Sequence, residues 1–221
     1  MRRAQLSAVR EIGLGEAEAP VPGPGEVLIR PILAGICGSD LSLYLGHRAA
    51  PSFPHVLGHE IVGRIEAVGA GVPSSSIGQR VVVEPNYPCG RCGFCLGGRG
   101  NICPDKKSAG VSLPGFFSEL CVAPAGFAWP VGDEIPDADA AAIEPLAVAV
   151  HAVRASGLGL GDTVAVLGCG AIGLLLAQAA IAQGARVIAH ETSERKLAMA
   201  PFSAGSMPTT WTVISSTSAG A

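Results

Sequence analysis

Four closely spaced cysteines form the first group of side chains that could do chemistry. The segment CGRCGFCLGGRGNIC runs from Cys89 to Cys103 with the spacing C-x2-C-x2-C-x7-C. Thiolates at such spacing bind zinc tetrahedrally at about 2.3 Å, and the glycines between them permit the sharp turns that bring four sulfur atoms together. Four protein ligands leave no open position for a substrate. The pattern therefore predicts a structural zinc site formed by Cys89, Cys92, Cys95 and Cys103.

An iron–sulfur cluster is the main alternative for these cysteines. Such clusters also use C-x2-C-x2-C followed by a fourth cysteine and a proline, and Pro104 does follow Cys103. The iron pattern has x3 before the last cysteine, whereas this chain has x7, so the spacing favours zinc. Disulfide bonds are disfavoured, because no export signal precedes the first motif and a reducing, cytoplasmic location is therefore expected.

A second group of candidate ligands lies upstream, in the segments GICGSDL and VLGHEIVG. A catalytic zinc needs about three protein ligands and one open position, which Cys37, His59 and one carboxylate would provide. Each residue also has a simpler interpretation, since a single buried cysteine is usually an apolar filler and a single histidine is usually a satisfied core residue. The neighbouring glycines favour the metal, because they permit close approach of the backbone.

A third candidate, Glu144, lies in the alanine-rich stretch DADAAAIEPLAVAVHAV. Proline is tolerated in the first turn of a helix, so Pro145 indicates that a second helix begins there, with Glu144 at the junction. A carboxylate within such an apolar run needs a partner, which a metal would supply. The alternative is that Glu144 caps a helix that begins at Leu146.

The segment TVAVLGCGAIG predicts a dinucleotide site, because an apolar strand is followed by GxGxxG, an apolar helix and a second strand at residues 186–190. In this order the glycines form a tight turn, and the helix N-terminus faces the pyrophosphate. An acid after the second strand would bind the adenosine ribose and repel the extra phosphate of NADP, so Glu191 favours NAD unless it is a solvated residue at a helix start. The predicted cofactor-binding residues are Gly168, Gly170, Ala171, Ile172, Gly173 and Glu191.

Charge and hydropathy exclude two classes of partner. The chain has 221 residues, 48% of them hydrophobic, and its 15 Lys and Arg nearly balance its 18 Asp and Glu. Nucleic-acid-binding domains carry a marked basic excess, and a membrane-spanning helix needs about 18 consecutive apolar residues. Neither nucleic acid nor a membrane is therefore an expected partner, and small molecules or proteins are.

These motifs, in this order, resemble the zinc-containing alcohol and polyol dehydrogenases of the medium-chain dehydrogenase/reductase family. The resemblance extends over about residues 20–200 and rests on GICGSD, GHEIVG, the cysteine segment, IEPLAVAVHAV and GCGAIG. It implies an α/β plus β chain. A GroES-like β-rich catalytic domain would span residues 1–150, with a structural zinc lobe at about 86–106, and an incomplete Rossmann NAD-binding domain would span residues 151–200.

The resemblance also implies roles for the candidate residues. Cys37, His59 and Glu60 match catalytic-zinc positions, and Glu144 matches a further ligand, direct or through water. Its context, IEPL, is similar to that of sorbitol, threonine and butanediol dehydrogenases. Ser39 matches the hydroxyl that begins a proton relay. The implied reaction is hydride transfer from a small-molecule alcohol or polyol to NAD, with zinc as the Lewis acid, in an enzyme of a typically homo-oligomeric family.

Two departures from the family pattern modify these expectations. Ser42 stands where many relatives carry a histidine, which implies slower proton release or another route. After Ala200 the pattern is lost, and residues 201–221 carry no charged side chain and no clear periodicity, so a divergent, disordered tail is expected. This loss suggests a truncated or frameshifted product, for which a noncatalytic zinc-binding fragment is the alternative to an active enzyme.

Overall fold

The structure is a computed structural model that describes residues 1–196 and the backbone of Trp211–Ser215. The chain forms two compact units, Met1–Glu144 and Pro145–Ala221. This boundary and the one expected at residue 150 both lie inside one helix, Ile143–Ala155. Because the helix is continuous there, the sequence contains no linker from which the boundary could be located.

The first unit is built from short antiparallel strands. The strands are β1 (Arg2–Ala8), β2 (Glu11–Glu16), β3 (Glu26–Gly35), β4 (His55–Val56), β5 (Glu60–Val68), β6 (Arg80–Val83), β7 (Asn86–Tyr87), β8 (Lys107–Ser108), β9 (Cys121–Pro124) and β10 (Ala128–Pro130). Five of them form one sheet in the order β10-β6-β5-β3-β9, three form a second sheet in the order β2-β1-β4, and β7 pairs with β8.

The start of strand β5, residues 60–63, is buried on both faces, which fixes the position of these residues. On one face Ile61 and Ile65 pack with Val27 of β3. On the other face Val62 packs with Ala140, which belongs to a short helix. Successive side chains of a strand point to opposite faces, so the adjacent apolar residues Ile61 and Val62 reflect cover on both sides at this end of β5, whereas Arg64 and Glu66 farther along it are exposed.

Residues 194–196 are helical, and the other α-helices of the described chain range from four to 13 residues. They are α1 (Gly38–Tyr44), α2 (Gly93–Leu96), α3 (Asp137–Ala141), α4 (Ile143–Ala155) and α5 (Ala171–Ala182). The interruption predicted before Pro145 is present, since α3 ends two residues before α4 begins. In the part of the chain that the structure describes, no helix has the length and apolarity that crossing a membrane requires.

The second unit has the parallel arrangement predicted from the glycine turn. β11 (Thr163–Leu167) pairs in parallel with β12 (Arg186–Glu191), and α5 connects them. Val166 and Val187 of these strands pack with Val153 of α4 and Ala177 of α5. The sequence order of strand, glycine turn, helix and strand is therefore confirmed.

The tail contains one further strand, which corrects the expectation of coil or disorder. β13 (Trp211–Ser215) pairs in parallel with β12, with Val187 opposite Trp211 and Glu191 opposite Ser215. The segment WTVIS consists largely of aromatic and β-branched residues, which favour strands. This pattern is confined to five residues of a tail that is otherwise rich in Ser, Thr, Ala and Gly. The rest of residues 201–221 lies outside the described residues.

Candidate functional site

The four predicted zinc ligands of the cysteine segment lie together. The Sγ atoms of Cys92 and Cys95 are 3.4 Å apart, and Cys89–Cys95 and Cys92–Cys103 are each 3.9 Å apart. A tetrahedral zinc with bonds of about 2.3 Å places its sulfur ligands about 3.8 Å from one another. The cluster therefore has the size of a single tetrahedral ion, whereas a multinuclear iron–sulfur cluster separates its thiolates farther.

Backbone amides prepare one of these thiols for metal binding. The N–H groups of Arg91 and Cys92 donate to Cys89 and lower its pKa to about 6. In contrast, burial, and to a smaller extent contact with Cys92, raises the pKa of Cys95 to about 12. The protein alone therefore does not stabilise four thiolates in this small volume. A divalent cation would provide the missing positive charge.

The second predicted group also converges. One ligand atom each from Cys37, His59 and Glu60 lies within 4.8 Å of the other two. The pairing of β3 with β5 explains why, because Gly35 at the end of β3 is directly opposite Glu60 at the start of β5. Cys37 follows β3 by two residues, and His59 precedes β5 by one. A side chain at position 35 would collide with the Glu60 carboxylate.

Asp40 is a buried part of this group to which the sequence alone gave no role. It is 2% exposed, and its carboxylate accepts the N–H of Cys37 at 2.9 Å and that of Gly58 at 3.0 Å. Asp40 Oδ1 also lies 3.5 Å from His59 Nδ1. This distance is long for a hydrogen bond, and Nδ1 has no better partner among the described residues. The contact leaves Nε2 of His59 as the nitrogen available to a metal.

The capping pattern of α1 was the sequence signal for Asp40. Cys37 occupies the N-cap position and Asp40 the third helical position. The backbone N–H of Cys37 donates to the Asp40 carboxylate, and the backbone N–H of Asp40 donates to the carbonyl oxygen of Cys37. An acid three residues after an N-cap residue is typical of a helix start. In GICGSD this pattern indicates that Asp40 faces back toward Cys37, although it does not indicate the distant contact with His59.

The charges of the second group support one another. Burial opposes protonation of His59, but the close contacts with Asp40 and Cys37 outweigh it and raise the pKa of His59 to about 10. The proximity of His59, against the effect of burial, lowers the pKa of Cys37. Ser39 Oγ lies 3.5 Å from His59 Nε2, so a hydroxyl borders the group. Without metal, these two shifts favour a protonated His59 ring and work in the direction of a more acidic Cys37 thiol.

Glu144 lies near this group without belonging to it. Within the described residues, the set of ligand atoms that meet within 4.8 Å contains Glu60 but not Glu144. Burial raises the pKa of Glu144, and the charges of Glu60 and Glu84 add to the increase. The alternative role as a cap for a helix from Leu146 is wrong, because α4 begins at Ile143 and Glu144 lies in its first turn.

The predicted dinucleotide turn connects β11 to α5. Gly168 has a φ of 102°, which favours glycine, and a side chain at Gly173 would collide with the carbonyl oxygen of Gly168. Gly170 is the N-cap of α5, so Ala171 and Ile172 begin the helix. The amides of a first helical turn have no partner within the helix and are the groups that bind phosphates.

Glu191 ends β12 and is 5% exposed, so the alternative of a solvated residue is wrong. Its carboxylate accepts backbone N–H groups, among them that of Cys169, and these bonds lower its pKa to about 2. Lys196, to which no local sequence pattern points, places Nζ 3.7 Å from Glu191 Oε2. The end of β12 therefore carries both an acid and a base.

Comparisons with known proteins agree with this arrangement. The sequence signature described as the alcohol dehydrogenase GroES-like domain matches residues 23–133. The chain is 40% identical to the starvation-sensing protein RspB of Escherichia coli K12 over 80% of this chain and 52% of RspB. It is 38% identical to the L-threonine 3-dehydrogenase of Stenotrophomonas maltophilia over 87% of this chain and 58% of that protein. The chain thus spans about half the length of these curated relatives.

A solved structure supports the fold. The crystal structure of the alcohol dehydrogenase RspB from Escherichia coli CFT073, complexed with NADH, matches with a TM-score of 0.91 and 35% identity. The match covers 99% of this chain and 63% of that chain. The expected fold class, a GroES-like β-rich domain followed by a partial Rossmann domain, is therefore confirmed.

Proposed function

This chain belongs to the family of the alcohol dehydrogenase GroES-like domain, and on that premise we propose that its activity is zinc-dependent hydride transfer from an alcohol or polyol to NAD. In this reaction the alcohol carbon loses a hydride to the nicotinamide and the hydroxyl loses a proton, which leaves a carbonyl product. Both units of the chain contribute to the proposal, the first through its metal ligands and the second through its glycine turn.

The observation that carries the proposal is the convergence of a thiol, an imidazole and a carboxylate at the adjoining ends of β3 and β5. Three different ligand types fit a zinc ion that keeps an open coordination position, whereas four thiolates fit a closed one. The buried carboxylate of Asp40 behind the His59 ring supports the same assignment, because histidines that bind metals usually direct their other nitrogen to such a group.

Each residue of the group has a separate role in the proposal. Cys37, His59 and Glu60 hold the ion, and Asp40 orients the His59 ring. When bound, zinc supplies a Lewis acid for the oxygen of the alcohol. The Ser39 hydroxyl, adjacent to His59 Nε2, would begin a relay, accepting the substrate proton while passing its own proton on toward solvent. Glu144 lies outside the set of three converging ligand atoms and would act as a further ligand, directly or through water.

The second unit would bind NAD through its glycine turn. Gly168, Gly170 and Gly173 shape the turn, and the first amides of α5, from Ala171 and Ile172, face the pyrophosphate. Glu191 favours NAD over NADP, because a carboxylate at the end of β12 repels a phosphate on the adenosine ribose. Cys89, Cys92, Cys95 and Cys103 would hold a structural zinc.

The proposed substrates are small alcohols, and the resemblance in IEPL directs attention to vicinal diols and β-hydroxy acids. We include in the proposal a cytoplasmic location, because thiolate ligands need a reducing environment. A homo-oligomeric state is included as well, on the precedent of the family.

Zinc content and dinucleotide binding test the proposal together. Elemental analysis of protein purified with zinc is expected to give about two ions per chain, one for each ligand group. NADH fluorescence should change on mixing with the protein, and absorbance at the NADH band should rise with NAD and sorbitol, L-threonine or 2,3-butanediol. One zinc per chain with unaltered NADH fluorescence would instead identify a noncatalytic zinc-binding protein.

A further inference from the structure

Glu191 holds the glycine turn in shape through bonds that do not involve a nucleotide. Its Oε2 accepts the N–H of Cys169 at 2.9 Å, across the sheet from its own strand. Its Oε1 accepts the N–H groups of Thr192 at 2.8 Å and Ser193 at 2.9 Å. Both carboxylate oxygens are thus bonded to backbone amides, and the residue is buried.

A second bond acts beside the first. The N–H of Gly168 donates to the carbonyl oxygen of His190 at 2.7 Å, immediately before Glu191. Two successive amides of the turn are therefore attached to two successive residues of β12, one through the main chain and one through the Glu191 side chain. The main-chain bond needs only a paired strand, but the Cys169 bond needs an acceptor of this length and charge.

From this geometry we infer that Glu191 is a positioning residue that fixes the Cys169 amide, and with it the glycine turn, in the shape that receives the pyrophosphate. The inference rests on the proposed dinucleotide site. It differs from the ribose role, since an effect on the turn extends to ligands that have no ribose hydroxyls. The low pKa of Glu191 agrees with it, because the carboxylate stays charged and accepts these bonds throughout the neutral range.

The test compares ADP with 2′,3′-dideoxy-ADP on the full chain by calorimetry. Glu191→Gln keeps the size of the side chain and removes its charge, so it should weaken both ligands by the same factor, about tenfold or more. Glu191→Asp keeps the charge but is one methylene shorter, and should also weaken both. Glu194→Gln, which removes a neighbouring exposed charge, is the control and should leave both affinities unchanged. Weaker ADP binding with unaltered dideoxy-ADP binding would overturn the inference in favour of a ribose role alone.

Amide hydrogen exchange without nucleotide gives an independent result. In both Glu191 variants the Cys169 amide should exchange faster than in the parent chain, while the amides of β11 and the thermal unfolding midpoint remain close to parental values. Unchanged exchange at Cys169 would refute the inference. If the parent chain binds neither ligand, the dinucleotide proposal fails, and the exchange measurement alone then decides whether Glu191 fixes the turn.

Discussion

The two groups of candidate metal ligands differ in how the fold assembles them. The four cysteines come from one short segment, Cys89–Cys103, whose own turns bring the sulfur atoms together. Cys37, His59 and Glu60 lie at or just beyond the adjoining ends of two strands and meet only because β3 pairs with β5. The first group needs little of the surrounding protein, whereas the second depends on the main sheet.

Burial differs in the same direction. The cysteine lobe, defined as residues 86–106, exposes its apolar side chains, with Leu96 77% and Ile102 50% exposed. His59 and Glu60 are buried beside the core of β5. A metal therefore has opposite effects in the two places. In the lobe it would replace a missing core, and in the sheet it would occupy a site that the core has already formed.

The largest expected effect is the loss of lobe structure on removal of one cysteine. Cys92→Ser should release one zinc per chain and increase amide exchange over residues 89–103, because structural zinc contributes about 10–16 kcal/mol where no core exists. Exchange in β3 and β5 should not change. Cys121→Ala is the control, since this buried thiol in β9 belongs to neither ligand group among the described residues. If amide exchange in the lobe of Cys92→Ser equalled that of the parent chain, the lobe would not depend on zinc for its structure.

The second group should show the converse behaviour. His59→Ala should remove one zinc and reduce any dehydrogenase activity by at least about a hundredfold, yet leave exchange in the lobe and in the sheet close to parental values. His55→Gln provides a matched control, because His55 is equally buried but bonds to the carbonyl oxygen of Gly110. Equal zinc loss in both histidine variants would show that general destabilisation, and not ligation, is responsible.

A smaller effect is expected one step away from the metal. Asp40→Asn should weaken the second zinc about 10- to 100-fold, because the His59 ring loses its charged partner, and should leave the lobe zinc unaffected. Chelator competition monitored by metal release measures both affinities in one experiment. Glu66→Gln, which removes an exposed partner of Arg30, is the control. Equal affinity in Asp40→Asn and the parent would mean that Asp40 only supports the loop backbone.

The same contrast explains what could be predicted from the sequence. The cysteine lobe follows from spacing alone, because its contacts are local. The partnership of Cys37 with His59 was suggested by ligand chemistry and implied by resemblance, and only strand pairing accounts for it physically. The contact of Asp40 with Gly58 and His59 was missed, since no local pattern links residues so far apart.

In the second unit, too, the features with a local sequence signal were the ones that could be predicted. Periodicity and the glycine pattern were sufficient for β11, α5 and β12, because each element carries its own signal. Strand β13 was missed because its five residues lie within a tail of uniform polar and small residues. The hydrogen bonds of the Glu191 carboxylate could not be predicted either, because they depend on how the glycine turn after β11 lies relative to the end of β12.

The smallest expected effect, per unit of pH, is on the zinc affinity of the second group. In the metal-free chain His59 holds its proton below a pKa of about 10, so zinc must displace that proton at neutral pH. Zinc affinity of the second group, measured in Cys92→Ser so that only this site is occupied, should therefore rise about tenfold per pH unit from 6 to 9. The dependence should flatten as pH approaches 10, where the ring is already neutral. Asp40→Asn should move the flat region to lower pH, because the His59 proton loses the carboxylate that retains it. A pH-independent affinity over this range would show that zinc does not displace a proton from His59. The second group would then have to bind its metal through a ligand other than His59.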